Sequence, residues 1–250
     1  MNTTSPKKTY YGVSLGILML ETYFERFNGD IGNARTWPFP VQYRIVKGAS
    51  PDRITSLTTT DFLQPFLDAA DELIAGGCDG ITTTCGFLAL YQRELAEHCM
   101  VPVATSALLQ VPMVARILPR AKRPAIITFS ADSLTTKHLT SVGVDPATPV
   151  IGMPPSSEFQ RSIRTGDTAV SIDTLRAEVL DVATRAVKSD PTIGALVLEC
   201  TNLTPYSADL RRALSLPIFD VVSLIHWFHR SLNPEIFPQD RALEAYRIAD

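Results

Sequence analysis

The chain has 250 residues, with hydrophobic residues at 45%, charged residues at 20% and a formal charge of −3. Those values describe an ordinary globular protein with enough length for one large or two modest domains. The net charge and the lack of a basic cluster exclude the electrostatic footprint of a nucleic-acid-binding protein. No basic start leads into a long apolar segment and no run of ~18 apolar residues occurs, so neither a signal peptide nor a membrane span is predicted. Four cysteines in such a chain read as free thiols of a reducing compartment, which places the protein in the cytoplasm.

Residues 1 to 9 are polar and are expected to fray. The apolar run from Tyr11 to Leu20 predicts the first buried strand. Glu21 to Pro40 has no steady period and carries Asn28-Gly29-Asp30, Gly32-Asn33 and Pro38-Phe39-Pro40, all turn or extended signals. Its aromatics Tyr23, Phe24, Phe27, Trp37 and Phe39 predict a loop packed down as a cover, with Arg26 as a candidate lid residue. Val41 to Val46 predicts a second strand, and Thr60 to Ala75 a helix with Phe62, Phe66, Ala69, Ala70 and Leu73 inward, ended by Gly76-Gly77. Cys78 to Thr84 is the next strand and runs into Cys85.

A second lobe is predicted from near residue 113. Ala125 to Phe129 reads as a strand, and Ser130-Ala131-Asp132-Ser133 as capping chemistry for a following helix. Gly152 to Ser157 is a Pro-rich loop; Thr174 to Lys188 is an amphipathic helix with Leu175, Val179, Val182 and Val187 inward. The strand Gly194 to Leu198 then leads to Cys200. Phe219 to Phe228 is apolar and helical, and the last ~20 residues are expected to dock back on the first lobe.

The chain repeats itself. Cys85, Leu88, Tyr91, Leu95 and Pro102 recur as Cys200, Leu203, Tyr206, Leu210 and Pro217, always 115 positions on. One long-period duplication means two similar lobes rather than a solenoid. In each copy an apolar strand ends at a cysteine, and large apolar residues then return at steps of three and four, the period of a helix. The predicted class is α/β, with two parallel-sheet lobes related by a pseudo-two-fold and the active site in the cleft between them. Residues 10–112 with 221–250 form the first lobe, and 113–220 the second.

Two thiols placed alike in two half-molecules suit proton transfer at a carbon next to a carboxylate. Inverting that carbon means removing a proton from one face and delivering one to the other, so two acid/base groups must flank it. Thiol and thiolate both lie within reach of neutral pH when the local environment tunes them. Thr84, Gly86, Phe87, Thr128, Ser130, Thr201 and Asn202, at strand ends and helix starts, are the candidate substrate-binding residues. Glu199, Asp220 and Glu21 are candidate supporting residues. Cys78 and Cys99 read as small buried hydrophobes. His226 and His229 lack further ligands at matching spacing, so no metal is assigned. No Gly-x-Gly-x-x-Gly, phosphate-binding loop or Cys-x-x-Cys occurs, and a cofactor-free enzyme is the simpler reading.

The paired cysteine strands resemble the aspartate/glutamate/hydantoin racemase superfamily over roughly residues 11 to 229. That resemblance implies two similar α/β lobes with a cysteine from each facing a small carboxylate. Cys85-Gly86-Phe87, Leu198-Glu199-Cys200-Thr201 with Pro205-Tyr206, Pro217-Ile218-Phe219-Asp220, and Gly29-Asp30-Ile31 are also similar in wording to algal dimethylsulfoniopropionate lyases. Arylmalonate-type decarboxylases of the superfamily keep one of the two cysteines, so retaining both implies proton transfer on two faces or elimination. The glutamate racemases carry Cys-Asn-Thr, Cys-Thr-His and an Asp-Ser-Gly turn where this chain has Cys85-Gly86-Phe87, Cys200-Thr201-Asn202 and Leu20-Glu21-Thr22, so glutamate is not the implied substrate.

The function expected first is a cofactor-independent racemase or epimerase, an isomerase of amino acid metabolism acting on a small amino acid or related carboxylate with Cys85 and Cys200 as the proton-transfer groups. The alternative is a carbon-sulfur lyase releasing acrylate and dimethyl sulfide. A third is a two-lobed protein that grips a small anion without turning it over. The expected partner is a small carboxylate, with neither nucleic acid nor membrane; a homo-oligomer is left open, since the sequence is silent on oligomeric state.

Overall fold

The computed structural model describes residues 8, 11–56 and 62–235. Two four-stranded parallel sheets form the framework. The first lobe runs β1 (Leu15–Leu20), β2 (Val41–Val46), α1 (Pro51–Thr55), α2 (Gln64–Ala75), β3 (Gly80–Thr83), α3 (Gln92–His98) and β4 (Val103–Ala104). In the second, α4 (Val111–Ile117) precedes β5 (Arg123–Thr128), α5 (Thr136–Thr140), β6 (Val150–Gly152), α6 (Glu158–Thr165), α7 (Ile172–Ser189), β7 (Ile193–Leu198), α8 (Ser207–Leu214) and β8 (Ile218–Phe219). The strand orders β2-β1-β3-β4 and β6-β5-β7-β8 are the same order written twice. A last helix, α9 (Val221–Leu232), packs Val221, Leu224, Ile225 and Phe228 with Leu15 and Ile17 of β1.

β7 is buried at every position and β5 at every position but its first, as their unbroken apolar runs require of central parallel strands. One apolar core extends through both lobes, from Leu18, Phe66, Leu73 and Tyr91 to Ile126, Val179, Leu196 and Tyr206. That continuity fixes the angle between the lobes and so the width of the cleft.

Several sequence expectations change in detail. The first strand begins at Leu15, four residues later than its apolar run. The helix read from Thr60 starts at Gln64; residues 57–61 lie outside those described, as do 1–7, 9–10 and 236–250, and with them the expected frayed start and docked tail. Ser130 does not cap a helix: its hydroxyl accepts the amide of Ser133 in a turn, and α5 begins six residues after it, behind Thr135, which forms a capping box with His138. Each cysteine is followed first by a tight 3-10 turn, at Gly86–Tyr91 and Thr201–Tyr206, and only then by α3 or α8. Pro205 sits within the second turn, where an α-helix would need its amide hydrogen.

The loop of residues 21–40 does pack down. Asp30, Ile31 and Trp37 are buried, and the Trp37 indole N–H and the Tyr43 hydroxyl both donate to the Ile31 carbonyl, at 3.1 and 3.2 Å. Tyr23, by contrast, is largely exposed. His226 and His229 pack around Phe39, and the His229 ring stacks on it at 3.8 Å. Among the described residues, no helix is long and apolar enough to cross a membrane.

Ile127 lies fully buried at the centre of β5, paired with Leu198 of β7. Ile127→Ala should cost about 2–5 kcal/mol through lost transfer energy and the cavity left behind, read as a lower urea midpoint; an unchanged midpoint would mean this sheet is not the core of the second lobe.

Candidate active site

β3 and β7 each end two residues before a cysteine, Cys85 or Cys200, and the chain turns into a 3-10 segment behind it. The amide of Thr84 donates to the Leu18 carbonyl at 3.0 Å, and that of Glu199 to the Ile127 carbonyl at 2.8 Å, so both turns hang from the neighbouring strand by the same bond. The two turns meet across the pseudo-two-fold. The Thr201 hydroxyl donates to the Thr84 carbonyl at 2.8 Å, joining the lobes. A Cβ added to Gly86 would overlap the Glu199 carbonyl oxygen and Oε1, and would lie 2.8 Å from the carboxyl carbon. Only glycine permits this approach at Gly86.

The space between the turns is a cleft of about 440 Å³, its open mouth included. Thr84, Cys85, Gly86, Phe87, Glu199, Cys200, Thr201 and Asn202 line it, together with Leu20, Thr22, Phe24, Arg26, Pro51, Thr55, Phe129 and Ile163. Thr128 is not in the wall but donates its hydroxyl to Glu199 Oε2 at 2.6 Å. Three candidates lie elsewhere. Ser130 is held in its turn by Ser133, at 3.1 Å between hydroxyls. Asp220 caps α9, accepting the Ser223 amide at 2.7 Å. Glu21 accepts the Gly48 amide at 2.8 Å.

The cover loop supplies what the strand-end motifs did not reveal. Asp30 is buried and accepts from Arg26 at 2.7 Å and from the Asn202 side-chain amide at 2.6 Å. Arg26 also donates to Thr22 at 2.8 Å and lies 4.6 Å from the Phe24 ring centre. Asn202 Oδ1 in turn faces Cys200, whose thiol donates to it at 3.6 Å. A chain of contacts thus runs from Arg26 through Asp30 and Asn202 to Cys200. The Gly29-Asp30 signal was present in the sequence, but only folding shows that it reaches the second cysteine.

The thiols are electrostatically hard to ionise. Burial, then the neighbouring Glu199 carboxylate, pushes Cys85 up to about 12, against opposing effects of the Phe87 and Leu88 amides and Arg26. Cys200 is raised well above the usual thiol range by burial, then by Glu199, with Cys85 and Asp30 adding to it and the Asn202 amide opposing. Glu199 is itself pushed up to about 7 by burial, against the Thr128 hydroxyl and the Phe129 amide. Three acids around one cleft, Cys200 and Glu199 buried and Cys85 half-buried, repel one another's charge, and ionising one disfavours ionising the next.

Comparison with known proteins places this geometry. No family model matches the chain. Arylmalonate decarboxylase superposes with a TM-score of 0.62 at 14% identity, covering 90% of this chain and 95% of that one. Allantoin racemase from Klebsiella pneumoniae gives 0.57 at 20% identity, covering 88% and 87%. Fold and paired turns therefore define a two-lobed α/β protein with the fold that these two enzymes share. A dimethylsulfoniopropionate lyase of Durusdinium sp. clade D is 27% identical over 252 residues, 95% of this chain and 83% of the relative. Dimethylsulfoniopropionate lyase 7 of Emiliania huxleyi is 30% identical over 242 residues, 88% of this chain and 68% of that protein. The chain belongs to the dimethylsulfoniopropionate lyase family.

Two outcomes test the site. Gly86→Ala should lose about 1–3 kcal/mol by overpacking, with the lobe contact disturbed; a thermal midpoint equal to the parent's would show that the turns can separate freely. For Glu199 the sign follows from its raised value. The folded protein keeps a proton that the unfolded chain releases between 4.5 and about 7, so this group's stability contribution is full below 4.5 and is lost as pH rises to about 7. Glu199→Gln undergoes no such loss. Its stability relative to the parent should improve across that window by on the order of 3 kcal/mol, measured by urea unfolding at several pH values; a difference that does not change with pH would contradict the burial argument.

Proposed function

We propose that this protein is a carbon-sulfur lyase that cleaves dimethylsulfoniopropionate or a close sulfonium carboxylate by β-elimination. The observation that supports this reading over the racemase is the lack of a free anion in the described cleft wall for a substrate ammonium. Asp30 is already held by Arg26 and Asn202, and Glu199 is buried and drawn toward its neutral form. An α-amino acid would bring three N–H donors into a cleft walled by Leu20, Phe24, Phe87, Phe129 and Ile163. A dimethylsulfonium group has no N–H to satisfy, and its methyl groups and cationic charge suit apolar and aromatic walls. The family relationship points the same way.

In the proposed reaction one cysteine, as thiolate, removes a proton from the carbon next to the carboxylate. The C–H electron pair becomes the new C=C bond, and the C–S pair leaves with sulfur as neutral dimethyl sulfide. Acrylate remains, and the proton on the thiol is later lost to water. A neutral leaving group needs no acid, so the other thiol is free to hydrogen-bond to the carboxylate as charge builds on it. Arg26, the cation in the cleft wall, is paired with Asp30 and Thr22 and is assigned to the same carboxylate through its remaining N–H donors.

The racemase remains the second reading, because mirrored thiols at opposite turns are also what inversion requires. Incubation with dimethylsulfoniopropionate in D2O, followed by proton NMR, should show vinyl signals of acrylate. Cys85→Ser and Cys200→Ser should each lower the rate by at least about 100-fold. Loss of an α-proton signal from an amino acid, with no vinyl product from the sulfonium compound, would instead select the racemase.

A further inference from the structure

The duplication breaks at the residue ahead of each cysteine. In the first lobe this is Thr84, whose hydroxyl accepts the Leu20 amide at 3.0 Å. In the second it is Glu199, with the corresponding amide, that of Phe129, acting on its carboxylate. Leu20 and Phe129 are equivalent, each two residues beyond the strand carbonyl, Leu18 or Ile127, that receives the amide of Thr84 or Glu199. A neutral hydroxyl on one side of the pseudo-two-fold is therefore replaced by an acid on the other.

That acid is only half satisfied. Glu199 is 0% exposed; Oε2 takes the Thr128 hydroxyl, while Oε1 is buried with no hydrogen-bond partner among the described residues and abuts Gly86, next to Cys85 in the cleft wall. A buried, unpartnered carboxylate oxygen is costly unless it is protonated or receives a proton from a neighbour. The groups around it are few. Its own turn supplies Cys200, the β3 turn Cys85, and β5 only the Thr128 hydroxyl and the Phe129 amide. The cover loop brings Arg26 and Asp30, which are paired with each other. His138 of α5 bonds to Thr135 through Nδ1 and meets the Phe87 ring edge-on at 5.3 Å.

We propose that Glu199 shares one proton with the cysteine pair, so that the three acids carry a single negative charge through the neutral range and the working thiolate forms when a thiol passes its proton to Glu199 Oε1. This rests on the reading that the cysteines are the proton-transfer groups. The step breaks one S–H bond, forms one O–H bond and leaves the net charge of the cleft unchanged, which avoids placing two charges against the same apolar walls. Glu199 acts through the thiols and is a positioning residue. Its raised value and its upward push on both thiols accord with this arrangement.

The consequence is a shape. Once the first proton has left the trio, the thiolate share is fixed by an internal exchange and stops depending on pH; without the carboxylate, thiolate arises only by loss to water and grows about tenfold per pH unit. The test is alkylation by iodoacetamide, with Cys85 and Cys200 followed separately by peptide mass spectrometry, on the parent and Glu199→Gln. For the parent the rate should rise to about pH 7 and then level, whereas for the variant it should keep climbing about tenfold per unit to about pH 9. Thr128→Val, which removes a donor to the carboxylate, should move the levelling to higher pH. Profiles of the same shape in all three proteins would overturn the proposal, since a merely structural glutamate would leave the slope alone. Acrylate release is measured in parallel. Divergent alkylation profiles without acrylate from the parent would support proton sharing and reject the lyase; acrylate with coincident profiles would do the reverse.

Discussion

Everything in the cleft depends on how closely two turns approach across the pseudo-two-fold. Gly86 lies against Glu199 with no room for a side chain, and Thr201 bonds to the Thr84 carbonyl 117 residues earlier. Were the lobes to part, both sulfur atoms and the carboxyl would gain water, and the perturbation that burial imposes on them would fall. The continuous core beneath the turns holds them together: leucines and isoleucines of both sheets, with Tyr91 and Tyr206 from the turns, pack as one body rather than as two hinged halves.

Within that frame the two halves have diverged chemically while keeping their backbone plan. The same strand order, the same amide-to-carbonyl bond and the same 3-10 turn recur on both sides. The side chains ahead of the cysteines differ, and so do the residues after them: Gly86-Phe87 is apolar, whereas Thr201-Asn202 ties the second cysteine to Asp30 and Arg26. A symmetric backbone therefore presents an asymmetric cleft. Such asymmetry fits the proposed elimination, which needs one base and one donor rather than two interchangeable groups.

The walls of the cleft carry the other half of the argument. Phe24, Phe87 and Phe129 come from three different segments and converge near the thiols, and Arg26 and Arg164 lie against Phe24 and Phe129, at 4.6 and 5.5 Å from the ring centres. A second cavity lined by Phe27, Phe159 and Tyr206 adjoins it, sharing Phe24, Ile163 and Asn202. The low polarity of this region is what raises the acids, since burial is the largest cause for Cys85, Cys200 and Glu199 alike.

The sequence by itself determined the plan. The offset of 115 positions, the two strand-to-cysteine junctions and the inward faces of α2 and α7 follow from local period and repetition, which do not depend on distant contacts. The eight residues from Thr84 to Phe87 and Glu199 to Asn202, all of which line the cleft, were legible as a candidate site because each group is contiguous and each copy points to the other. Tertiary structure decided the rest. Asp30 and Arg26 lie in a loop without periodicity, so nothing local tells which strand end they cover. Ser130, Asp220 and Glu21 have the right chemistry at strand ends or nearby, yet each spends its hydrogen bonds on its own turn, helix cap or neighbouring loop. The environment of Glu199 was also undecided, because a carboxyl ahead of a cysteine becomes a half-satisfied buried acid only when Gly86, from the other lobe, closes over it.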